Sequence, residues 1–309
     1  MKTIDQSEDI SSAQAIIFFE TRSDSDYFYK MCLEKKLDDK MYLITLEPSA
    51  VHPPNHDPGR HMHFRGVLTW NEDLVDNRKY FKLFYTLPIR FGEKIIVPRI
   101  PFGQKKLLCL ISSNKYSSHP KELYSERVNT IRFMEKNHPN DFDLYGVGWD
   151  YPVIYNSLAD RLKINAAIFK FWPKSMKLKR YRSYRGKIDY KKEILPKYKF
   201  TIAYENELDG NGYVTEKILE AFLHGCVPIY LGDRNVAKRI PANCFIDKRE
   251  YPTYEKLYEQ LSTMTNEEHA AYLDNIEKFL NSRDIYPFTI DSMIESFERL
   301  LGITIRKTK

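Results

Sequence analysis

The chain predicts an α/β protein of two units joined near residue 100. Three observations carry this. Short apolar runs suited to buried strands recur, most clearly Phe200 to Tyr204 and Val227 to Leu231. Segments of helical spacing alternate with them, as in Glu122 to Lys136 with Leu123, Val128, Ile131 and Phe133. Pro98 to Gln104, with Pro101 and Gly103, is the best linker, and Leu107 to Ile111 beyond it starts a second α/β unit. A length of 309 residues accommodates two domains, and 42% hydrophobic residues support a core in each.

In the first unit, Ala15 to Phe19, Tyr42 to Leu46 and Gly66 to Trp70 are strand candidates, and Pro48 to His63 is a loop rich in Pro, His and Asn. In the second, Phe200 to Tyr204 runs into an acidic, glycine-containing turn from Glu205 to Gly212. Thr215 then caps a helix whose Ile218, Leu219, Phe222 and Leu223 share one face. Gly225 suits the end of that helix, and Val227 to Leu231 follows as a strand. Helices are expected from Tyr254 to Met264, from Glu267 to Leu280 and from Ile290 to Leu301, before a basic tail from Arg306 to Lys309.

Ligands of open α/β sheets bind outside the carboxyl ends of the strands, against helix N-termini. Glu205, Asn206, Tyr213, Thr215, Glu216 and Lys217 occupy that place. They suit nucleotide binding better than core filling.

These residues also carry a resemblance. Phe200, then Tyr204, Glu205 and Asn206, then Tyr213 to Lys217 (Tyr-Val-Thr-Glu-Lys), then Val227, Pro228, Ile229 and Gly232 form an ordered pattern. It is similar to the signature of the α1,3/4-fucosyltransferases, glycosyltransferase family 10. Ser112 to Asn114, Ser125 to Val128 and Asp143 to Trp149 extend the similarity upstream; the extreme N-terminus matches poorly.

The resemblance implies a GT-B fold, two Rossmann-like domains with the active site in the cleft between them. Residues 1–100 would be an abridged acceptor-binding domain, 101–285 the GDP-fucose-binding domain, and 286–309 a C-terminal helix and tail. The first domain is short, so its sheet must be covered in some other way. The implied activity is inverting transfer of L-fucose from GDP-fucose to the N-acetylglucosamine or glucose of a β-galactoside, of N-acetyllactosamine or lactose type, with Lewis-type products. Lys217 and the helix N-terminus would serve the phosphates, Glu216 the ribose diol, and Tyr213 and Asn206 the phosphate or sugar. Arg127 matches a family arginine that clamps the diphosphate. With these groups no metal or other cofactor is required. Glu47, after the Tyr42 to Leu46 strand and before Pro48 and Ser49, matches the family's general base. Glu72 and Asp73, which follow Trp70 and Asn71, are the alternative base on the acceptor side.

Competing readings rest on weaker signals. Gly210, Gly212 and Thr215 imitate a dinucleotide fingerprint, with Asp233 where a ribose-binding acid would sit, which would make an oxidoreductase. The third glycine is missing, and acidic side chains beside a pyrophosphate are unfavourable. A basic run of Lys174, Lys177, Lys179, Arg180, Arg182, Arg185 and Lys187, interleaved with Tyr181 and Tyr184, has the form of a nucleic-acid surface. Its place just upstream of the nucleotide motif favours donor electrostatics or an anionic acceptor, so nucleic acid is disfavoured as a partner. His52, His56, Asp57, His61 and His63 share one loop without a scaffold for zinc. Asp24 and Asp26 form a common triplet best read as a helix cap.

Net charge of +6 suits an anionic ligand or membrane surface. Four cysteines without metal-ligand spacing, with Cys109 and Cys226 in apolar surroundings, favour a reducing compartment. Met1 to Ala13 has no signal-peptide core, and no apolar run approaches the ~20 residues of a membrane span. A cytoplasmic protein is expected. The basic amphipathic C-terminus is compatible with peripheral contact at the inner membrane face, but packing of its helix is favoured.

Overall fold

Two separate all-parallel sheets organise the computed structural model, which describes residues 10–150, 154–155 and 181–303. The first sheet runs in the order β1 (Ile16–Phe19), β2 (Met41–Thr45), β3 (Gly66–Thr69), β4 (Tyr80–Lys82). β4 is three residues long, too short to show a period in sequence. β2 is buried on both faces, as a continuous apolar run requires. Met41 and Leu43 join one core with Phe18, Tyr29, Cys32 and Val67. Tyr42 and Ile44 join another with Leu68 and Leu83. α1 (Tyr27–Glu34) covers the first of these faces, and Asp26 caps it by accepting from the Tyr29 N–H at 3.0 Å.

The second domain contributes β5 (Lys106–Ile111), β6 (Lys115–Tyr116), β7 (Phe142–Tyr145), β8 (Ile154–Tyr155), β9 (Tyr198–Tyr204), β10 (Val227–Leu231) and β11 (Ile246–Asp247). Five of these align as β11-β10-β9-β5-β7, while β6 and β8 form a small pair. Among the described residues its helices are α2 (Tyr124–Asn137), α3 (Glu216–Leu223), α4 (Tyr254–Thr263) and α5 (Asn266–Leu280). Threonines cap three of them: Thr215, Thr253 and Thr265. From β5 the chain passes through α2 to β7 on one side of the sheet. From β9 it passes through α3 to β10 on the other. The switch point therefore lies between β5 and β9, where a ligand crevice opens at the strand ends.

The crossing between domains comes earlier than residue 100. Leu83 belongs to the first domain's core. Leu87, Ile89 and Val97 belong to the second, and the Leu87 N–H donates to the Phe288 carbonyl at 2.8 Å. Pro98 to Gln104 is mostly exposed, with Ile100 and Phe102 half-buried, and its first residue passes close to Gly225. A Cβ on Gly225 (φ +63°) would lie 2.2 Å from the Pro98 carbonyl oxygen, so only glycine fits there.

The chain finally returns to the first domain. α6 (Ile290–Leu301), capped by Thr289, lays Met293, Phe297, Leu300 and Leu301 against Tyr42, Ile44, Leu68 and Leu83. The second face of the first sheet is covered in this way. The tail from Arg306 to Lys309 lies outside the described residues. Among the described residues no helix is long and apolar enough to cross a membrane, and all four cysteines are free and buried.

Candidate functional site

A buried carboxylate organises the start of α3. Glu205 follows β9 and is fully buried. It accepts from the Thr215 N–H at 2.8 Å, from Thr215 Oγ1 at 2.7 Å and from Lys217 Nζ at 3.3 Å. Burial pushes its carboxyl above the ordinary glutamate value, and the Lys217 ammonium opposes this. Glu205 is therefore the internal anchor that fixes the start of α3. Lys217 stays partly exposed in the first turn, with Glu216 3.6 Å from it. Burial alone would raise the Glu216 carboxyl, but Lys217 and Lys191 bring it below its usual range. An ionised carboxylate and an ammonium thus stand together at a helix N-terminus, the charges that a ribose diol and a phosphate need.

Arg127 is buried beneath this turn. Its Nη2 donates to the Tyr204 carbonyl at 2.7 Å, the Glu205 carbonyl at 2.6 Å and Asn206 Oδ1 at 3.0 Å. As placed, that arm holds the end of β9. Arg127, Ser112, Lys191, Tyr204 and Lys217 line a cavity at the switch point. Its free volume of about 20 Å³ admits little more than a water.

The first domain brings Glu47 to this place. Burial raises the Glu47 carboxyl, and neighbouring Glu20 raises it further, against the charges of Lys115 and Lys217; Glu216 acts on it too. The Glu47 carboxylate is half-buried and has no hydrogen-bond donor among the described residues. Its loop is tied to the second domain by Glu207, which accepts from Ser49 Oγ at 2.6 Å and from the Ala50 N–H at 2.8 Å. Tyr85 donates to the Leu46 carbonyl at 2.5 Å and sets its ring 5.9 Å from that of Tyr213. Tyr213 is buried, packed against Trp70 at 4.8 Å, with its hydroxyl 3.4 Å from Asn206 Nδ2.

Glu72 and Asp73 sit elsewhere on the interface. Glu72 pairs with Lys82 at 3.3 Å and with Arg239, which also holds buried Asp233 at 2.9 Å. Burial would raise the Glu72 carboxyl, but the Arg239 hydrogen bond and the Lys82 charge bring it below the usual range. Asp73 is exposed and accepts from Asn211 Nδ2 at 2.8 Å.

Residues 103–286, over half of the chain, match the model for the C-terminal part of glycosyltransferase family 10 (fucosyltransferase). The chain belongs to this family. It is 32% identical over 113 residues to the alpha-(1,3)-fucosyltransferase FucT of Helicobacter pylori, covering 36% of this chain and 23% of that enzyme. It is 33% identical over 93 residues to 4-galactosyl-N-acetylglucosaminide 3-alpha-L-fucosyltransferase 9 of Cricetulus griseus, covering 28% of this chain and 26% of that protein. The matched segments thus span about a quarter of either relative. A solved α1,3-fucosyltransferase with GDP-fucose superposes over 98% of this chain and 95% of its own, with TM-score 0.50 and 16% identity. Without GDP-fucose the values are 99%, 94%, 0.51 and 14%. These superpositions show the shared GT-B fold.

The residues of the competing motifs that the structure describes are engaged as follows. Asp233 accepts from the Gly212 N–H at 3.1 Å and pairs with Arg239, so it closes the turn from inside. A Cβ on Gly212 (φ +91°) would meet the Trp70 carbonyl oxygen at 2.5 Å, which leaves no pyrophosphate cradle there. The loop histidines diverge: His52 contacts Thr21, His56 the Glu47 carbonyl, and His63 Asp38. No group of three or more His, Cys, Asp or Glu among the described residues could hold a metal. Lys174, Lys177, Lys179 and Arg180 lie outside the described residues. Of the rest of the basic run, Arg185 pairs with Asp143, Tyr181 is buried 5.3 Å from the Trp149 ring, and the Tyr184 hydroxyl donates to the Gly146 carbonyl at 2.8 Å. The two tyrosines are core groups, not a stacking platform.

Sequence reasoning missed Glu20, Glu207 and Arg239. Each acts through contacts distant in sequence, and only their charged character marks them.

Proposed function

We propose that the chain is an inverting α1,3-fucosyltransferase that uses GDP-fucose. The observation that supports this best is Glu207, in the turn that leads to Glu216 and Lys217, holding Ser49 and Ala50 of the Glu47 loop at 2.6 and 2.8 Å. Lys217 and the N-terminus of α3 would hold the diphosphate, Glu216 the ribose diol, and Tyr213 and Asn206 the sugar or phosphate. Arg127 would act from beneath, by fixing the turn that carries Asn206. These groups supply the charge the leaving GDP needs, so the proposal includes no divalent metal.

In the transfer step the acceptor hydroxyl oxygen attacks fucose C1 from the face opposite GDP. The C1–O bond to the β-phosphate breaks, GDP leaves with its electron pair, and the acceptor proton passes to Glu47. A raised carboxyl makes Glu47 a better proton acceptor than an ordinary glutamate, provided it is ionised. The name of one relative, a 4-galactosyl-N-acetylglucosaminide 3-alpha-L-fucosyltransferase, supports the N-acetylglucosamine of a β-galactoside as acceptor; the proposal extends this to glucose and to Lewis-type products.

Glu47→Gln tests this reading. GDP affinity should stay near that of the wild type, while transfer to N-acetyllactosamine or lactose falls by about 10²–10⁴. Normal transfer by this variant would remove Glu47 from the chemistry. Tight binding of UDP or NAD in place of GDP would overturn the donor assignment.

A further inference from the structure

The backbone of Glu47 is held at both of its polar groups by side chains. Glu20 ends β1, and its N–H still continues the sheet by donating to the Ile44 carbonyl at 2.9 Å. Beyond that point its carboxylate replaces the missing strand. Glu20 Oε1 accepts from the Leu46 N–H at 3.2 Å and from the Glu47 N–H at 3.1 Å. The other oxygen accepts from Asn55 Nδ2. That same amide donates to the Glu47 carbonyl at 3.1 Å, and His56 Nε2 lies 3.3 Å from it. Asn55 is fully buried and is itself fixed, with Oδ1 accepting from the Thr21 N–H at 3.0 Å.

Glu20 adopts φ +62°, a left-handed conformation that a glutamate rarely takes. Such conformations persist where surrounding contacts over-determine them, and they cluster at functional sites. Here the turn aims the Glu20 carboxylate back across the end of β2. An amide donor satisfied by water, or an asparagine at position 20, would have relieved the backbone. The observed arrangement instead places a second negative charge beside Glu47.

We propose that Glu20 is a positioning residue for transfer, fixing the Glu47 backbone so that its carboxylate is presented to the acceptor hydroxyl. This inference rests on the reading of Glu47 as the base. A carboxylate held from behind the chain can serve without reorganising at the moment of proton transfer. The charge of Glu20 has a second effect, because a like charge at short range disfavours ionisation of Glu47. The other groups acting on Glu47 are Lys115 beside it, Lys217 and Glu216 at α3, His56 at its carbonyl, and the hydroxyls of Tyr85 and Tyr213. Lys115 and Lys217 favour the ionised form and Glu216 opposes it, so removing Glu20 shifts the balance toward ionised Glu47.

The test is the pH profile of kcat/KM for the wild type, Glu20→Gln, Glu20→Asp and Glu47→Gln, each with GDP affinity measured as a check on folding. Glu20→Gln should move the acidic limb down by about 0.5–1 pH unit and lower transfer about tenfold, with GDP affinity retained. Glu20→Asp keeps the charge, so its limb should stay near that of the wild type while the rate falls through the shorter reach. An unmoved limb in Glu20→Gln, with Glu47→Gln inactive, would overturn the role of Glu20 alone. A Glu47→Gln enzyme that transfers normally would overturn the base assignment instead. Should Glu20→Gln lose GDP affinity through misfolding, Glu20→Asp decides: wild-type rate and limb together sink the positioning role.

Discussion

Arg239 of the second domain forms an ion pair with Glu72 of the first, across the boundary between the two sheets. The same guanidinium holds Asp233, which is fully buried, and Glu72 also pairs with Lys82 at 3.3 Å. The four charges form one chain that latches the domains. Arg239→Ala would leave Asp233 buried without its counter-charge. We expect a loss of roughly 3–5 kcal/mol in stability by urea denaturation. Unchanged stability would show that the latch carries no load.

Glu72→Gln separates the latch from the chemistry. Transfer should stay within about tenfold of wild type if Glu47 is the base, well short of the 10²–10⁴ expected for a base. The pH dependence follows from the sign of the shift. The folded carboxyl of Glu72 lies below its ordinary value of 4.5, so its contribution to stability is present above that value and lost as pH falls through the folded one. Acid unfolding of Glu72→Gln should therefore begin from a lower stability and fall less steeply. Abolished transfer in this variant would move the base from Glu47 to Glu72.

Lys217→Ala should weaken GDP binding and turnover together, because the diphosphate is charged in both ground and transition states. A charged hydrogen bond of about 1.5–3 kcal/mol corresponds to a loss of roughly tenfold or more. Lys217→Arg keeps the charge and should recover part of it. GDP affinity within about threefold of wild type by calorimetry would take Lys217 out of the donor site.

Chelation addresses the diphosphate from the other direction. With Lys217 and the α3 N-terminus holding the phosphates, EDTA should change the transfer rate by less than about twofold. A deep loss restored by added Mn²⁺ or Mg²⁺ would show that a metal shares the site.

Leu300→Ala tests how the first domain closes. Leu300 is buried in α6, and a Cβ on Gly66 of β3 would come within 2.8 Å of its Cδ1. Truncation should cost about 2–4 kcal/mol in denaturant unfolding. A neutral result, together with binding of the wild type to anionic vesicles through this helix, would make α6 a membrane-facing element instead.

The sequence by itself determined the segment from Tyr198 to Gly232. A buried parallel strand, a polar turn, a Thr-capped amphipathic helix and a second buried strand each follow from local pattern, and their residues carry the family signature. It also placed Glu47 at the end of β2, because an apolar run must stop where its polar residues begin. Only the tertiary structure decided what Glu72, Glu205, Glu207 and Arg239 do. Ser49 and Glu207 bond across 158 positions of chain, and such a pairing leaves no period or spacing to read. The same holds for α6: its apolar stripe required a partner, but only packing made the second face of the first sheet that partner. Charged residues at turns look alike in sequence. Burial and the identity of the facing charge, both set by packing, separate an anchor such as Glu205 from a latch such as Glu72 and from the half-buried carboxylate of Glu47, the proposed base.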